Sequence, residues 1–526
     1  MNRPKQHDET GWQNLLNEGI RDIQQKKPML AHKKLEDAYR LAPSERLVRY
    51  WLGNACRMCG DADRAELLFR DLLAEDAADE EAAFALSWLV REQGRPEQAA
   101  DTLTSLAKVS GGRLETLLQI AGFLRDSNQF SQAITVCRQA LELAPDRADL
   151  HSRLARLLQA EGEFEAALAS LRSALELDAT LGGAWLSLAQ LQKFQTGAET
   201  DMKMLLDAAD NSLGDETDMC VSFALGKALD DLGRWPDAWR QFKRGNSLRE
   251  AGQPWNTAAW EDFVSARLSS GGKPRVPARE RVRRNVQGNK RHPVFIIGML
   301  RSGTTLLELC LDRHPDITGR GELNFLARLD GQYAGRSLLS QEQRTAAATE
   351  LWTQMRLQGP VDHFYVDKNP LNFRFLDTLH SVMPDARVIH ISRDGRDSCL
   401  SCYFQLFQHA DAGFSNRIEY LLAYYRGYRR LMTHWRQEYP GWIHTISYPD
   451  LVDSTEATLA GTLKYLGVGW DDGIMEPGKQ RRPVRTASTW QARQPIYRDS
   501  LERWNHYYEQ APDFFDAIAE IDRQFS

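Results

Sequence analysis

Glycine, arginine and hydroxyl side chains are grouped in the segment from Gly298 to Thr305. The segment reads Gly-Met-Leu-Arg-Ser-Gly-Thr-Thr, and it follows a short apolar run that is typical of a buried β-strand. A glycine-bracketed turn that leads into a helix leaves backbone N–H groups directed at a bound oxyanion. The segment therefore predicts a phosphate-binding loop.

The cation of this loop is Arg301, which lies between the two glycines. The phosphate loop of nucleotide hydrolases, G-x-x-x-x-G-K-[ST], has a lysine after its second glycine, whereas here Thr304 follows Gly303. This difference argues against an ATPase. It favours a nucleotide whose transferred group is held by arginine.

Short apolar runs alternate with longer amphipathic segments from Pro293 onward, which predicts an α/β domain. A strand followed by a helix, repeated, produces a parallel sheet with helices on its faces, and such sheets bind ligands at the carboxyl ends of their strands. The runs that we interpret as strands are 294–297, 364–366, 388–391 and 443–446.

Each predicted strand is followed by a polar side chain suited to anion binding. Arg301 follows the first strand, Lys368 the second, Arg393 the third and Tyr448 the fourth. Because parallel strands end at the same edge of a sheet, we expect these four side chains to face one crevice.

Two of these strand ends resemble the phosphate motifs of sulfotransferases that use 3′-phosphoadenosine 5′-phosphosulfate (PAPS) as the sulfuryl donor. The first loop is similar to their 5′-phosphosulfate loop. Arg393 and Ser401, eight residues apart, match the arginine and serine that hold the 3′-phosphate in that family. The resemblance extends from about residue 290 to the C-terminus. The donor-binding residues that it implies are Arg301, Ser302, Gly303, Thr304, Thr305, Arg393, Ser401, Tyr448 and Arg503.

Within this superfamily the chain is more similar to protein-tyrosine sulfotransferases than to the cytosolic phenol or steroid enzymes. It contains their phrase L-D-x-H-P-D at 311–316, and Glu322 lies 21 residues after Arg301, where those enzymes have a catalytic glutamate. The resemblance implies that Glu322 is the general base, that Arg301 and Lys368 stabilise the leaving phosphate, and that Ser488 donates to the bridging oxygen. No metal is required, since protein cations replace magnesium. The tyrosine enzymes are membrane-anchored and secretory, so the resemblance does not extend to the acceptor.

Each assigned role has a structural alternative. Glu322 is otherwise a surface carboxylate or an N-cap contact near Asn324, and Lys368 is otherwise a solvent-facing loop lysine. Arg393 is otherwise the partner of Asp397 in an ion pair, and Tyr448 is otherwise core packing. The 21-residue spacing favours the catalytic interpretation of Glu322.

A period of 34 residues organises the first half of the chain. Glycine or asparagine precedes four of the periodic alanines by five residues, as expected for a turn between two helices. The pattern resembles the tetratricopeptide repeat, whose helix pairs cross at small residues. A later unit from Leu225 to Phe242 has the same pattern shifted by a few residues, so we expect an irregular connection within 191–217. The periodic residues are Ala31, Ala65, Ala99, Ala133 and Ala167, with Gly60, Gly94, Asn128 and Gly162 before them.

The sequence thus predicts a multidomain protein. An all-α repeat solenoid is expected at 10–260, a basic linker at 261–291 and an α/β sulfotransferase domain at 292–526.

The repeats predict a concave surface that binds a protein or peptide; the alternative is a scaffold that only shapes or dimerises the enzyme. The leading hypothesis is sulfuryl transfer to a hydroxyl acceptor, a protein or peptide presented by the repeats, with tyrosine as a candidate. The alternatives are a carbohydrate, lipid or small-metabolite acceptor with the repeats used for assembly, and a repeat-based binding scaffold with an inactive nucleotide domain.

Composition excludes several other classes of protein. With 42% hydrophobic and 26% charged residues among 526, the chain is typical of a soluble globular protein of two or three domains. A net charge of -6 does not predict nucleic-acid binding, and the absence of a long apolar run predicts no membrane span and a cytoplasmic location. Seven cysteines do not form a disulfide framework, and we interpret the two C-x-x-C pairs as buried residues.

Overall fold

The computed structural model describes residues 11–197, 199–252, 254–269, 293–333, 339–356, 363–407, 410–476, 498 and 501–525. These residues form two compact units, which divide between Leu177 and Asp178. None of the described helices is long and apolar enough to cross a lipid bilayer.

In its described residues, 11–177, the first unit consists of ten helices arranged as five successive pairs along the chain. From the third pair onward, both members of each pair begin 34 residues after those of the pair before, as the sequence period predicts. The helices are α1 (Gly11–Gln24), α2 (Pro28–Leu41), α3 (Arg46–Met58), α4 (Ala62–Glu75), α5 (Glu80–Glu92), α6 (Pro96–Val109), α7 (Leu114–Asp126), α8 (Phe130–Leu143), α9 (Ala148–Glu161) and α10 (Phe164–Leu177).

Small residues and left-handed turns explain this repeat. All five periodic alanines are fully buried. They lie where the paired helices cross, and a larger side chain there would separate the helices. The turn position five residues earlier has a positive φ in every pair, including Asn128 at 61°. In the first pair the residue at this position is Lys26, whose φ is 57°. The conformation is therefore imposed by the repeat even where the sequence lacks glycine or asparagine.

The second unit begins with five more helices. The predicted later pair is confirmed as α13 and α14, joined at Gly233 with a φ of 69°. Gly226 permits their close crossing, since a Cβ there would lie 3.0 Å from the Phe242 ring. The predicted irregular connection contains a regular helix, α12. The five helices are α11 (Gly182–Gln190), α12 (Thr200–Asp210), α13 (Asp215–Asp231), α14 (Trp235–Gly252) and α15 (Thr257–Ser269).

Helix α15 occupies the beginning of the segment that the sequence predicts to be a linker. Trp260 donates its indole N–H to the carbonyl of Ala423 at 3.2 Å, and Arg267 donates to both carboxylate oxygens of Asp377 at 2.9 Å. Residues 261–269 are therefore a packed helix of the second unit and not a linker. The rest of the predicted linker, 270–291, lies outside the described residues.

A five-stranded parallel sheet forms the centre of the second unit. The strand order is β2-β3-β1-β4-β5, and every neighbouring pair is parallel. The four predicted strands are confirmed, and β2, only three residues long, is an addition. The strands are β1 (Val294–Gly298), β2 (Ile317–Gly319), β3 (Phe364–Asp367), β4 (Arg387–Ser392) and β5 (Ile443–Ser447).

Helices cover this sheet, and the core lies between them and the strands. Ile296, Ile389 and Val366 are fully buried in the three central strands, which accounts for their unbroken apolar runs. The helices are α16 (Thr304–Leu311), α17 (Phe325–Gln332), α18 (Gln341–Arg356), α19 (Leu376–Val382), α20 (Gly395–Tyr403), α21 (Ile418–Glu438), α22 (Tyr448–Asp453), α23 (Thr455–Leu466) and α24 (Pro512–Gln524), with 3₁₀ turns at Pro370–Phe375, Ala410–Asn416, Asp472–Met475 and Arg503–Gln510.

The seven cysteines are all among the described residues, and each is a free thiol. Cys56, Cys399 and Cys402 are buried, and Cys59 is half-buried. Burial raises the pKa of the Cys402 thiol to about 12, so this side chain is a neutral packing group near pH 7.

Candidate active site

The predicted phosphate loop is a tight turn between the central strand β1 and helix α16. Two residues of the turn are left-handed, Arg301 with a φ of 68° and Gly303 with a φ of 102°. The turn is closed by a hydrogen bond of 3.2 Å from the amide of Ser302 to the carbonyl of Met299. Gly303 is the N-cap of α16, so the N–H groups of the first helical turn, which have no partner within the helix, lie at this loop.

Both glycines of the loop are required by close contacts. A Cβ on Gly298 would lie 2.7 Å from Ser302 Oγ and 2.8 Å from the carbonyl oxygen of Ile391. A Cβ on Gly303 would lie 2.2 Å from Cδ2 of Tyr448. A methyl group does not fit at either position without displacement of its neighbours.

Ser302 supplies a polar group suited to an anionic ligand. The residue is 1% exposed, and its Oγ has no hydrogen-bond partner within the part of the chain that the structure describes. Leaving a buried hydroxyl unsatisfied is unfavourable, so a ligand oxygen would satisfy it. Thr304 is buried and Thr305 half-buried in the first turn of α16. Helix amides, this hydroxyl and the glycine turn together fit a phosphate or sulfate group.

The second predicted phosphate motif lies directly beside this loop. Arg393, which follows β4, donates from Nη1 to the carbonyl oxygen of Arg301 at 2.9 Å. Arg301 in turn donates from Nε to Oγ of Ser401 on α20 at 3.1 Å. Arg301, from the phosphate loop, thus contacts both Arg393 and Ser401, from the segment that follows β4.

The alternative interpretations of Arg393 and Tyr448 are each true in part. Arg393 Nη2 lies 3.8 Å from Asp397, and its guanidinium lies 4.9 Å from the centre of the Tyr448 ring. Asp397 also accepts hydrogen bonds from the amides of Glu502 at 2.8 Å and Trp504 at 3.1 Å. Tyr448 is buried in the sheet core while its ring packs on Gly303 and Arg393.

Lys368 and Glu322 form an ion pair near the carboxyl end of β3. Lys368 Nζ lies 2.5 Å from Glu322 Oε1, and the lysine side chain is fully buried whereas 43% of the glutamate side chain is exposed. The interpretation of Lys368 as a solvent-facing lysine is therefore wrong. Glu322 is exposed on one side and held by a buried cation on the other.

Three carboxylates to which the sequence analysis assigned no role hold the loop that carries Glu322. The backbone amides of Gly319, Gly321 and Leu323 donate to buried or half-buried carboxylate groups at 2.6, 2.7 and 3.1 Å. The acceptors, in the same order, are Asp312, Glu308 and Asp367. His314 accepts the amide of Asp316 at 3.1 Å, and its other ring nitrogen lies 3.1 Å from the carbonyl of Gly469.

These contacts explain much of the L-D-x-H-P-D phrase. Asp312 and His314 brace the turn between α16 and β2, so the phrase positions the glutamate that follows it. Asp367 directly precedes Lys368 in the chain. Glu308 had one available signal, an acidic residue on an otherwise apolar helix.

Burial changes the titration of two of these carboxyl groups. Desolvation raises the pKa of Glu308 to about 7, against the opposing effects of Lys368 and the Gly321 amide. Desolvation also raises the pKa of Asp367 to about 7, although the Leu323 amide and Asn372 stabilise its ionised form. Lys368 thus lies among several buried or partly buried acids.

Two predicted site residues remain, Arg503 and Ser488. The guanidinium of Arg503 is ion-paired with Asp230 on α13 and lies 5.3 Å from the centre of the Phe404 ring. Its predicted contact with the donor therefore stays a prediction. Ser488 lies outside the described residues. Within those residues there is no cluster of His, Cys, Asp and Glu that could hold a metal ion.

Two parts of the chain match known protein families. Residues 293–472 match the sulfotransferase family, and residues 16–80, 90–157 and 124–191 match the tetratricopeptide repeat. The chain therefore carries tetratricopeptide repeats followed by a C-terminal domain of the sulfotransferase family. Its similarity to the protein-tyrosine sulfotransferases within that group is weak.

Three relatives illustrate the degree of similarity. An uncharacterized protein of Aquifex aeolicus (strain VF5) is 30% identical over 311 residues, which cover 56% of this chain and 40% of that protein. Protein-tyrosine sulfotransferase 1 of Danio rerio is 24% identical over 41% of this chain and 66% of its own length. Protein-tyrosine sulfotransferase 2 of Gallus gallus is 23% identical over 40% of this chain and 62% of its own length. The chain thus spans less than two thirds of each of these relatives.

Two solved structures are also similar to parts of the chain. The sulfotransferase domain of the Synechococcus PCC 7002 olefin synthase is 18% identical, covers 44% of this chain and 96% of that chain, and has a TM-score of 0.33. A thermophilic TPR protein of Thermus thermophilus is 23% identical, covers 34% of this chain and 98% of that chain, and has a TM-score of 0.22.

Proposed function

We propose that the protein transfers the sulfuryl group of PAPS to a hydroxyl acceptor. The observation that carries this proposal is the contact chain from Arg393 through Arg301 to Ser401. It joins the two segments that would hold the two phosphate-bearing ends of one nucleotide. A nucleotide that carries both a 5′-phosphosulfate and a 3′-phosphate matches such a pair of adjacent sites.

The described residues fit this donor. The Ser302 hydroxyl and the first amides of α16 would hold the 5′-phosphosulfate, and Arg393 with Ser401 would hold the 3′-phosphate. Tyr448 packs against both the glycine turn and Arg393, so it would support the two sites together. When bound, PAPS supplies the sulfuryl group, and its phosphate is the leaving group.

Arg301 and Lys368 would stabilise the negative charge that develops on the leaving phosphate. Sulfuryl transfer resembles phosphoryl transfer in that catalysis depends mainly on positioning and charge stabilisation. Lys368 is suited to this role because it is fully buried, and charges interact more strongly away from water. We propose that these protein cations carry this role without a metal.

Glu322 would take the proton of the acceptor hydroxyl. Its carboxylate is exposed enough to meet an acceptor and is held in place by Lys368. General-base assistance is typically worth about 10²–10⁴-fold in rate. A phenol, with a pKa of about 10, demands less of such a base than an alkyl alcohol does.

The acceptor that we favour is a protein or peptide presented by the repeats, with tyrosine as a candidate, in the cytoplasm. Repeat arrays of this kind use extended surfaces to bind other chains. A carbohydrate, lipid or small-metabolite acceptor is the alternative. The Lys368–Glu322 pair and the Arg393 contacts argue against a scaffold with an inactive nucleotide domain, because burying unused charges costs stability.

Labelling tests the proposal. The protein is incubated with sulfur-labelled PAPS and a mixed cell extract, and proteins are then separated from small molecules. Label is expected in the protein fraction; label among small molecules alone would favour the alternative acceptors, and no label in either fraction would exclude the enzyme.

The 3′-phosphate assignment is tested with the Arg393→Ala variant. Wild-type protein should bind adenosine 3′,5′-bisphosphate more tightly than adenosine 5′-phosphate, and the variant should lose most of this preference. Arg523→Ala is the matched control, since Arg523 is a surface side chain with 75% exposure. Unchanged discrimination in Arg393→Ala would contradict the assignment.

A further inference from the structure

The loop that carries Glu322 is fixed through alternate backbone amides. We call residues 319–323 the base loop. The amides of Gly319, Gly321 and Leu323 each donate to a carboxylate, and the amide of Arg320 donates to the Val366 carbonyl of the neighbouring strand at 2.8 Å. Every one of these bonds lies within three residues of Glu322.

Glu308 is the acceptor closest in sequence to the phosphate loop. It lies four residues after Thr304 on the eight-residue helix α16, which begins at that loop. Its Oε1 is 2.7 Å from the amide nitrogen of Gly321, the residue directly before Glu322. Gly319 leaves room for it, since a Cβ there would lie 3.0 Å from the same oxygen.

We propose that Glu308 is a positioning residue that fixes Glu322 relative to the phosphate loop by accepting the Gly321 amide. The catalytic part of this inference rests on the proposed sulfuryl transfer, in which Glu322 is the base. One short helix would then set the distance between the group that holds the donor and the group that activates the acceptor.

A purely packing role does not account for a carboxyl group at this position. The residue is buried, and its neighbours along α16 are the buried apolar residues Leu307, Leu309, Cys310 and Leu311. An apolar residue would fill the site without the cost of desolvating a carboxylate. This desolvation raises the pKa of Glu308 to about 7. An apolar residue would lose the backbone hydrogen bond to the base loop and the electrostatic interaction with Lys368.

Two substitutions separate the hydrogen bond from packing. Glu308→Leu keeps a side chain of similar volume and removes the acceptor, whereas Glu308→Gln keeps an acceptor oxygen. We expect the leucine variant to lose about 10- to 100-fold in kcat, corresponding to a lost hydrogen bond to a charged group, with little change in the KM for PAPS. The glutamine variant should retain most of the wild-type kcat. Glu342→Ala, at an exposed position of α18, is the control.

Amide hydrogen exchange gives a readout that does not require activity. The Gly321 amide should exchange about 10- to 100-fold faster in Glu308→Leu than in wild type, and at close to the wild-type rate in Glu308→Gln. Glu308→Ala replaces the leucine variant if melting curves show that the latter does not fold.

The outcomes distinguish this inference from the proposed function. Wild-type exchange at Gly321 in the leucine variant, or equal loss of kcat in the leucine and glutamine variants, would overturn the role of Glu308. If the Gly321 amide exchanges faster in Glu308→Leu but the protein transfers no sulfuryl group, the hydrogen bond from Gly321 to Glu308 is supported and the proposed reaction is excluded. In that case Glu308 has no catalytic role.

Discussion

Substitution of Gly303 by alanine is the sharpest test of the loop geometry. The residue has a φ of 102°, a conformation that alanine rarely adopts, and the added Cβ would lie 2.2 Å from Tyr448 Cδ2 and 2.6 Å from Cε2. Carbon atoms in contact are normally about 3.5–4.0 Å apart. Either the turn or the tyrosine ring must therefore move by more than an ångström.

The magnitude follows from two separate costs. A non-glycine residue in a sparsely populated backbone region costs about 1–3 kcal/mol. Forcing extra atoms into a packed site costs about 1–3 kcal/mol more. We therefore expect Gly303→Ala to lower the free energy of unfolding by about 2–6 kcal/mol, and to weaken binding of adenosine 3′,5′-bisphosphate because the first amides of α16 are displaced.

The assay is denaturant unfolding together with calorimetric titration of the bisphosphate. Gly331→Ala is the matched control, because an added Cβ at Gly331 meets no atom within 4 Å and its φ is ordinary. That variant should retain wild-type stability and affinity. A Gly303→Ala protein with wild-type values in both assays would refute the close packing of Tyr448 on the loop.

The remaining predictions concern Lys368, the buried acids and the helices before the sheet. Lys368→Met should lower kcat by about 10²–10³-fold, as expected for loss of a charge-stabilising donor, whereas the exposed Lys464→Met should not; equal turnover in steady-state assays would contradict the role. The free energy of unfolding should decrease as pH rises from about 4.5 to about 7, because the folded pKa of Glu308 is raised to about 7 and the folded state binds the proton more tightly. Glu308→Gln should remove up to about 3 kcal/mol of this decrease, and an unchanged slope in urea titrations at several pH values would exclude it. Deletion of residues 1–177 should leave the melting temperature of the second unit intact, whereas deletion of 1–260 should lower it, since it removes Asp230, the partner of Arg503, and Phe242, which stacks on Phe404 at 3.8 Å. Equal melting temperatures for the two truncated proteins would argue against that packing.

Much of the fold was accessible from the sequence because it is encoded by local patterns. The alanine period indicates helix crossings at which no larger residue fits, and the four apolar runs indicate strands buried on both faces. β2 was missed because three residues, only one of them large and apolar, make too short a signal. At Lys26 the repeat determines the structure and the local sequence does not. Its backbone is left-handed although lysine does not favour that conformation.

The predicted site was partly accessible for the same reason. Arg301 and Arg393 are brought together because they follow neighbouring strands, β1 and β4, and Ser401 lies on the helix after β4. This is a consequence of topology that spacing can predict. Glu308 and Asp312 contribute through backbone amides of a loop that follows them in the chain, and such contacts leave no periodic pattern. The pairing of Arg503 with Asp230 joins residues 273 positions apart, beyond any local signal.

Transfer of labelled sulfate from PAPS by wild-type protein and by Glu322→Gln tests the central claim most directly. Wild-type protein should transfer label to an acceptor in the extract. The variant should bind adenosine 3′,5′-bisphosphate as wild type does but transfer label about 10²–10⁴-fold more slowly, the range expected for loss of a general base. Wild-type transfer by Glu322→Gln, or no transfer by the wild-type protein, would contradict the account.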